Sequence, residues 1–179
     1  MSTASAPLPG PLLVLVGPMG SGKSTVGELV AERLGVPFRD TDSDVEAAAG
    51  RPVSDIFVES GEKVFRELER AAVATALGEH TGVLALGGGA VLQPDTRALL
   101  TGHRVVFLRV GLAAAADRVG LGVSRPLLLG NVRGQLKRLI DERTPVYEAL
   151  AVHRVDTDGL SAAEVAERVV RLVEEMSVG

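Results

Sequence analysis

Apolar positions fall along this chain in two rhythms. Leu12-Leu13-Val14-Leu15-Val16, Val83 to Leu86 and the centre of Arg104 to Val110 are short and apolar without alternation, as strands buried on both faces of a parallel sheet require. Val36 to Arg39 and Val152 to Val155 complete five predicted strands. The second rhythm is helical. Val26, Leu29, Val30 and Leu34 recur at i, i+3, i+4 and i+8, and Gly35 and Pro37 stop that helix. An alanine-rich helix ends at Gly50, a short one capped at Ser54 spans Val53 to Glu59, and after Gly61 a longer one runs from Glu62 to Leu77. Val64, Leu68, Ala71 and Thr75 form its expected core stripe. Thr96 to Leu100, Leu112 to Val119 and Gln135 to Arg143 read as further helices, the last of them ended by Thr144-Pro145. Ser161 and Glu164 make a capping box for a final helix whose apolar stripe is Val165, Val169, Leu172 and Val173. Strands and helices alternate, which is the order of an open α/β sheet.

Between the first strand and the first helix stands Gly17-Pro18-Met19-Gly20-Ser21-Gly22-Lys23-Ser24-Thr25, a complete G-x-x-x-x-G-K-[ST] phosphate-binding loop. Strand, glycine turn and helix come in the order that lets backbone N–H groups and the helix dipole face polyphosphate oxygens. In this motif Lys23 reaches the β and γ phosphates and the Ser24 hydroxyl ligates Mg²⁺.

Composition changes the picture in three places. At 179 residues the chain fits one domain, residues 1–179, and no internal repeat or linker divides it. A net charge of −4 gives no footprint for nucleic acid, while 16 of the 19 basic residues are arginine, whose planar fork suits carboxylate and phosphate. The absence of cysteine excludes disulfides, thiolate metal sites and cysteine nucleophiles. Residues 1–10 read as a flexible tail. No apolar run approaches the length of a membrane span, so the expectation is a cytoplasmic protein with neither a membrane nor a nucleic-acid partner.

The remaining candidate chemistry follows the strands. Asp40 and Asp42, at the carboxyl end of the second strand, are expected to project to one side of an extended segment and serve metal or base, although Ser43 and Glu46 there also allow a capping box. Phe65, Arg66 and Glu69 lie beside the expected stripe, where they either meet a ligand or cover the domain. The third strand ends in Gly87-Gly88-Gly89 rather than in aspartate, so the metal's carboxylate is assigned to Asp40. Residues 120–134, with Arg118 nearby, Arg125-Pro126 and Arg133, have the composition of a mobile flap carrying cations.

Taken together, the loop, Asp40-Thr41-Asp42, Phe65-Arg66, the triple glycine, Arg125-Pro126-Leu127-Leu128 and Arg143-Thr144-Pro145-Val146-Tyr147 resemble the shikimate kinases in order and spacing from about residue 12 to residue 176. The resemblance implies a three-layer P-loop kinase fold with a five-stranded parallel sheet, a substrate-binding part over 36–78 and a lid over 118–134. It also implies a transferase that phosphorylates shikimate with ATP, in aromatic amino acid biosynthesis. Carried onto this chain, Gly20, Ser21, Gly22, Lys23, Ser24, Thr25, Arg118 and Arg125 bind ATP, while Ser24 and Asp40 serve Mg²⁺. Lys23, Asp42 and Arg125 are catalytic, with Asp42 as the candidate base. Asp42, Phe57, Phe65, Arg66, Gly87, Gly88, Gly89, Pro126, Leu127 and Arg143 meet the substrate, and Arg66 and Arg143 grip its carboxylate. The implied state is a monomer. Asp158-Gly159-Leu160-Ser161 lacks the arginine that flanks adenine in related enzymes. A gluconate-kinase-like enzyme and a non-catalytic nucleotide-binding regulator are the rival readings. A guanine-nucleotide switch would need an Asn-Lys-x-Asp base reader, and no lysine here follows an asparagine.

Overall fold

Five parallel strands form the middle layer: β1 Leu13–Val16, β2 Phe38–Asp40, β3 Val83–Ala85, β4 Val105–Arg109 and β5 His153–Asp156, in the order β2-β3-β1-β4-β5. The structure, a computed structural model, describes residues 10–119 and 132–178. Helices cover both faces, which is why the central strands carry no alternating polar positions. Leu13 and Leu15 of β1 face a core shared with α1 Lys23–Leu34 and α7 Ala162–Val178. Val14 and Val16 face the opposite core, built with α3 Val53–Glu79, α4 Pro94–Leu100 and α6 Val132–Leu150. The chain leaves the central β1 to build β2 and β3 on one side, then β4 and β5 on the other. Its ligand crevice therefore opens at the carboxyl ends of the strands flanking β1.

Three predicted elements differ from the observed ones. The Asp-Thr-Asp segment is not extended: α2 Thr41–Ala49 starts inside it, and its cap is Asp40, whose side chain accepts from Asp42 N. The Ser43–Glu46 capping box does not form, and Glu46 instead accepts from Val53 N. In α3 the Ser54 cap is replaced by Pro52, and Gly61, at φ 85° and ψ 168°, breaks the helix where the sequence suggested. The buried stripe of the longer segment is Phe65, Glu69, Val73 and Ala76, while Val64 is 38% exposed and Ala71 and Thr75 face solvent. A stripe scored on apolar residues alone rotates away from a buried glutamate, and Glu69 is 1% exposed.

The third difference is Pro145, which lies inside α6 rather than ending it. Its fixed φ is compatible with the helix, and the preceding hydroxyl, Thr144 Oγ1, donates back to Ile140 O at 2.7 Å. The extra turns are held by Tyr147, fully buried and stacked on Phe107 of β4 with ring centroids 5.1 Å apart. Tertiary burial outweighs the local break.

A Cβ at Gly82, just before β3, would stand 1.9 Å from Pro37 O, whereas one at Gly78 in α3 would meet nothing within 4 Å. Gly82→Ala is expected to cost about 1–3 kcal/mol or more, and Gly78→Ala to add about 0.5–1 kcal/mol, in chemical denaturation. Equal midpoints for the two variants would refute this account of the β2–β3 edge.

Candidate functional site

The phosphate loop begins where β1 ends, and its glycines have structural work to do. Gly20 and Gly22 sit at φ 80° and 86°, a region that favours glycine, and Gly22 caps α1. Lys23 opens the helix and donates from Nζ to Gly17 O at 2.7 Å and Pro18 O at 3.1 Å. Arg118, at the end of α5 Leu112–Val119, reaches over the loop and donates to Gly20 O at 2.7 Å. Ser21 is buried against Gly17, and Thr25 is exposed. Ser24 Oγ donates to Asp40 Oδ2 at 2.6 Å, so Asp40 uses one oxygen to cap α2 and the other to meet the loop. Lys23, Ser24, Asp40, Asp42, Arg118 and the Gly87-Gly88 backbone line one crevice of about 370 Å³.

The far wall of this crevice is the triple glycine. None of the three has a positive φ, so close approach rather than backbone conformation explains them. A Cβ at Gly87 would lie 2.7 Å from Asp42 Oδ1 and 2.8 Å from Glu69 Oε2. At Gly89 it would lie 2.5 Å from both terminal nitrogens of Arg66. At Gly88 it would stand 3.5 Å from Arg143 Nη1, an ordinary contact. Gly87 N donates to Thr41 Oγ1 at 3.2 Å, and charged side chains occupy the space that side chains at Gly87 and Gly89 would need.

Arg66 and Arg143 reach the turn from α3 and α6. Arg66 is held by Glu69 at 2.8 Å, with Glu62 at 3.5 Å and the Phe65 ring 5.2 Å below its guanidinium carbon. Arg143 is 4% exposed. Burial pushes the Glu69 carboxyl up from the usual range, against the opposing pull of Arg66, while Asp42 adds to the rise. The Tyr147 hydroxyl is pushed up to about 12, chiefly by burial, with Arg143 working the other way. Two carboxylates and two guanidiniums thus share a poorly hydrated corner, where a planar anion with hydroxyls would find both donors and acceptors.

Phe57 and Phe65 pack with centroids 4.6 Å apart beside Val45 and Ile56, in a small core between α2 and the two halves of α3. Arg125, Pro126 and Leu127 lie outside the described residues. Glu69, for which the sequence left ligand contact and a covering role both open, is buried against Gly87, and Tyr147, not among the predicted site residues, stands beside Gly88. A glutamate in a helix looks solvated from sequence, and only the four-residue spacing from Arg143 to Tyr147 hinted that the tyrosine shares a face with that arginine.

Comparison with known proteins bears on this geometry. A family model described as shikimate kinase matches residues 19–174. The shikimate kinase of Salinispora arenicola is 58% identical over 163 residues, covering 91% of this chain and 98% of that protein. The shikimate kinase of Thermobifida fusca is 56% identical, covering 90% and 94%. Among solved structures, the shikimate kinase from Acinetobacter baumannii in complex with shikimate is 33% identical with a TM-score of 0.89, covering 93% of this chain and 94% of that one. Sequence and three-layer fold agree along nearly the whole length, and the chain belongs to the shikimate kinase family.

Proposed function

We propose that this protein transfers the γ-phosphoryl group of ATP to shikimate, giving shikimate 3-phosphate and ADP in aromatic amino acid biosynthesis. One observation carries the reading: a single crevice has a phosphate loop as one wall, and as the other a glycine turn to which two buried or half-buried arginines come from separate helices. The rival gluconate-kinase and regulator readings are not favoured, because family membership and the paired arginines both point to shikimate. In this reading residues 36–78 form the substrate part and 118–134 the lid of a monomeric, cytoplasmic enzyme. No helix among the described residues is long and apolar enough to cross a membrane.

The proposed mechanism is one of positioning and charge. Arg66 and Arg143 read the substrate carboxylate by paired N–H···O bonds, with Phe57, Phe65 and Pro126 against the ring and Gly87 to Gly89 as the floor. Asp42, beside Gly87, accepts from the hydroxyl that attacks. Amides of Gly20, Ser21, Gly22 and Thr25, with Lys23, Arg118 and Arg125, hold ATP and oppose the charge that spreads over the phosphoryl oxygens. Mg²⁺ fits the neighbouring oxygens of Ser24 and Asp40, because this ion is usually held by one or two such groups plus substrate phosphates. When bound, it neutralises phosphate charge.

A coupled ADP-release assay with shikimate, gluconate and nucleoside monophosphates tests the function. Shikimate is expected to react at least about 100-fold better than the others in kcat/KM, and Lys23→Met is expected to lose about 10²- to 10³-fold in kcat with its Tm unchanged. Preference for gluconate, or a fully active Lys23→Met, would overturn the reading.

The two aspartates are expected to separate. Asp42→Asn keeps the size but loses the proton acceptor, so kcat falls by about 10²- to 10⁴-fold and added Mg²⁺ does not restore it. Asp40→Asn is expected to be partly rescued by Mg²⁺, since it orients Ser24 rather than the attacking hydroxyl. Superimposable kcat-against-Mg²⁺ curves would show one shared role.

The buried Glu69 predicts a pH dependence. Its carboxyl is raised above its ordinary value of 4.5, so its neutral form is favoured in the fold. Its contribution is fully present below that value and declines as pH rises through the raised one. Tm differences between Glu69→Gln and wild type are therefore expected to move in favour of the variant from about pH 4.5 upward. A pH-independent difference would contradict the assignment.

A further inference from the structure

Among the described residues Tyr147 is the largest fully buried side chain, and its ring stacks on Phe107. Phenylalanine would supply that packing without burying a hydroxyl, which is costly unless the group is bonded. The hydroxyl here donates to Gly88 O at 2.5 Å, and the Arg143 guanidinium acts on the phenol oxygen itself by hydrogen bond and charge. Burial pushes the phenol up to about 12, so at neutral pH it carries its proton and can donate and accept together. Arg143 and Tyr147 share one face of α6 because the helix continues through Pro145.

Gly87 is held from the opposite side. Its amide donates to Thr41 Oγ1, a fully buried side chain in the first turn of α2, between Asp40 and Asp42. Adjacent residues of the turn are therefore tied to two helices: Gly87 to the one carrying Asp42, and Gly88 to the one carrying Arg143.

We propose that Tyr147 and Thr41 are positioning residues that clamp the Gly87-Gly88 backbone and so set the spacing between Arg143 and Asp42 at which the substrate is captured. This rests on the reading of the crevice as the shikimate site. Neither residue needs to touch the substrate, and both act on its side of the crevice rather than on the nucleotide's, since their hydrogen bonds run to the Gly87-Gly88 turn.

The test is steady-state kinetics of Tyr147→Phe, Thr41→Val and Thr41→Ser, with a thermal melt of each. Tyr147→Phe and Thr41→Val are expected to raise KM for shikimate about tenfold, the size of one lost buried hydrogen bond, with KM for ATP within about twofold of wild type. Thr41→Ser keeps the hydroxyl and is expected to restore the wild-type value. In an Arg143→Lys background, Tyr147→Phe is expected to add less than about twofold, because it acts through that arginine. A lowered Tm with both KM values unchanged, a matching rise in KM for ATP, or Thr41→Ser behaving like Thr41→Val would overturn the proposal. Should Tyr147→Phe fail to fold, the Thr41 pair decides by the same criteria. Wild-type turnover tests the substrate reading separately, and the KM comparison runs on whichever hydroxy acid the enzyme phosphorylates.

Discussion

Two carboxylates and two guanidiniums crowd against a stretch of backbone that has no side chains to give them. Asp42 and Glu69 fill the space a Cβ at Gly87 would need, and Arg66 fills that of Gly89. Burying such charges singly would be costly, so they come as partners: Arg66 on Glu69, Arg143 beside Tyr147. Burial still outweighs the pull of Arg66 on Glu69, whose carboxyl stays raised above its ordinary range. This corner dictates much around it, including the burial of a glutamate in α3 and the continuation of α6 past a proline.

The phosphate side is built on a different principle. Gly20 and Gly22 take left-handed backbone conformations so that the turn from β1 into α1 can curve. There the polar contacts of Lys23 and Arg118 are to backbone carbonyls of the loop. Asp40 joins the two regions, since one of its oxygens caps the helix carrying Asp42 and the other meets Ser24 of the loop. A change at either end of that carboxylate would be felt at the other.

The two arginines proposed to hold the substrate come from α3 and α6, on the face of the sheet opposite α1 and α7. Gly61 interrupts α3 between Phe57 and Phe65, so the half that carries Phe57 packs with α2, apart from the main sheet core. The two halves of α3 thus serve different layers of the molecule.

The phosphate loop, the five strands and most helices were legible in the chain because each is local. Leu13 to Val16 is apolar at every position, Gly35 ends α1 in the left-handed conformation its place implied, and Ser161 with Glu164 forms the expected capping box. The resemblance of six spaced motifs carried the family. Tertiary structure alone decided which face of α3 turns inward, because a periodicity scored on apolar residues cannot see that Glu69 is buried by its pairing with Arg66. It alone decided that Thr144-Pro145 does not end α6, since the burial of Tyr147 against Phe107 outweighs the missing N–H. It also decided why three glycines stand in a row: the side chains that need their space come from α2, α3 and α6, and no local pattern brings those helices to one point.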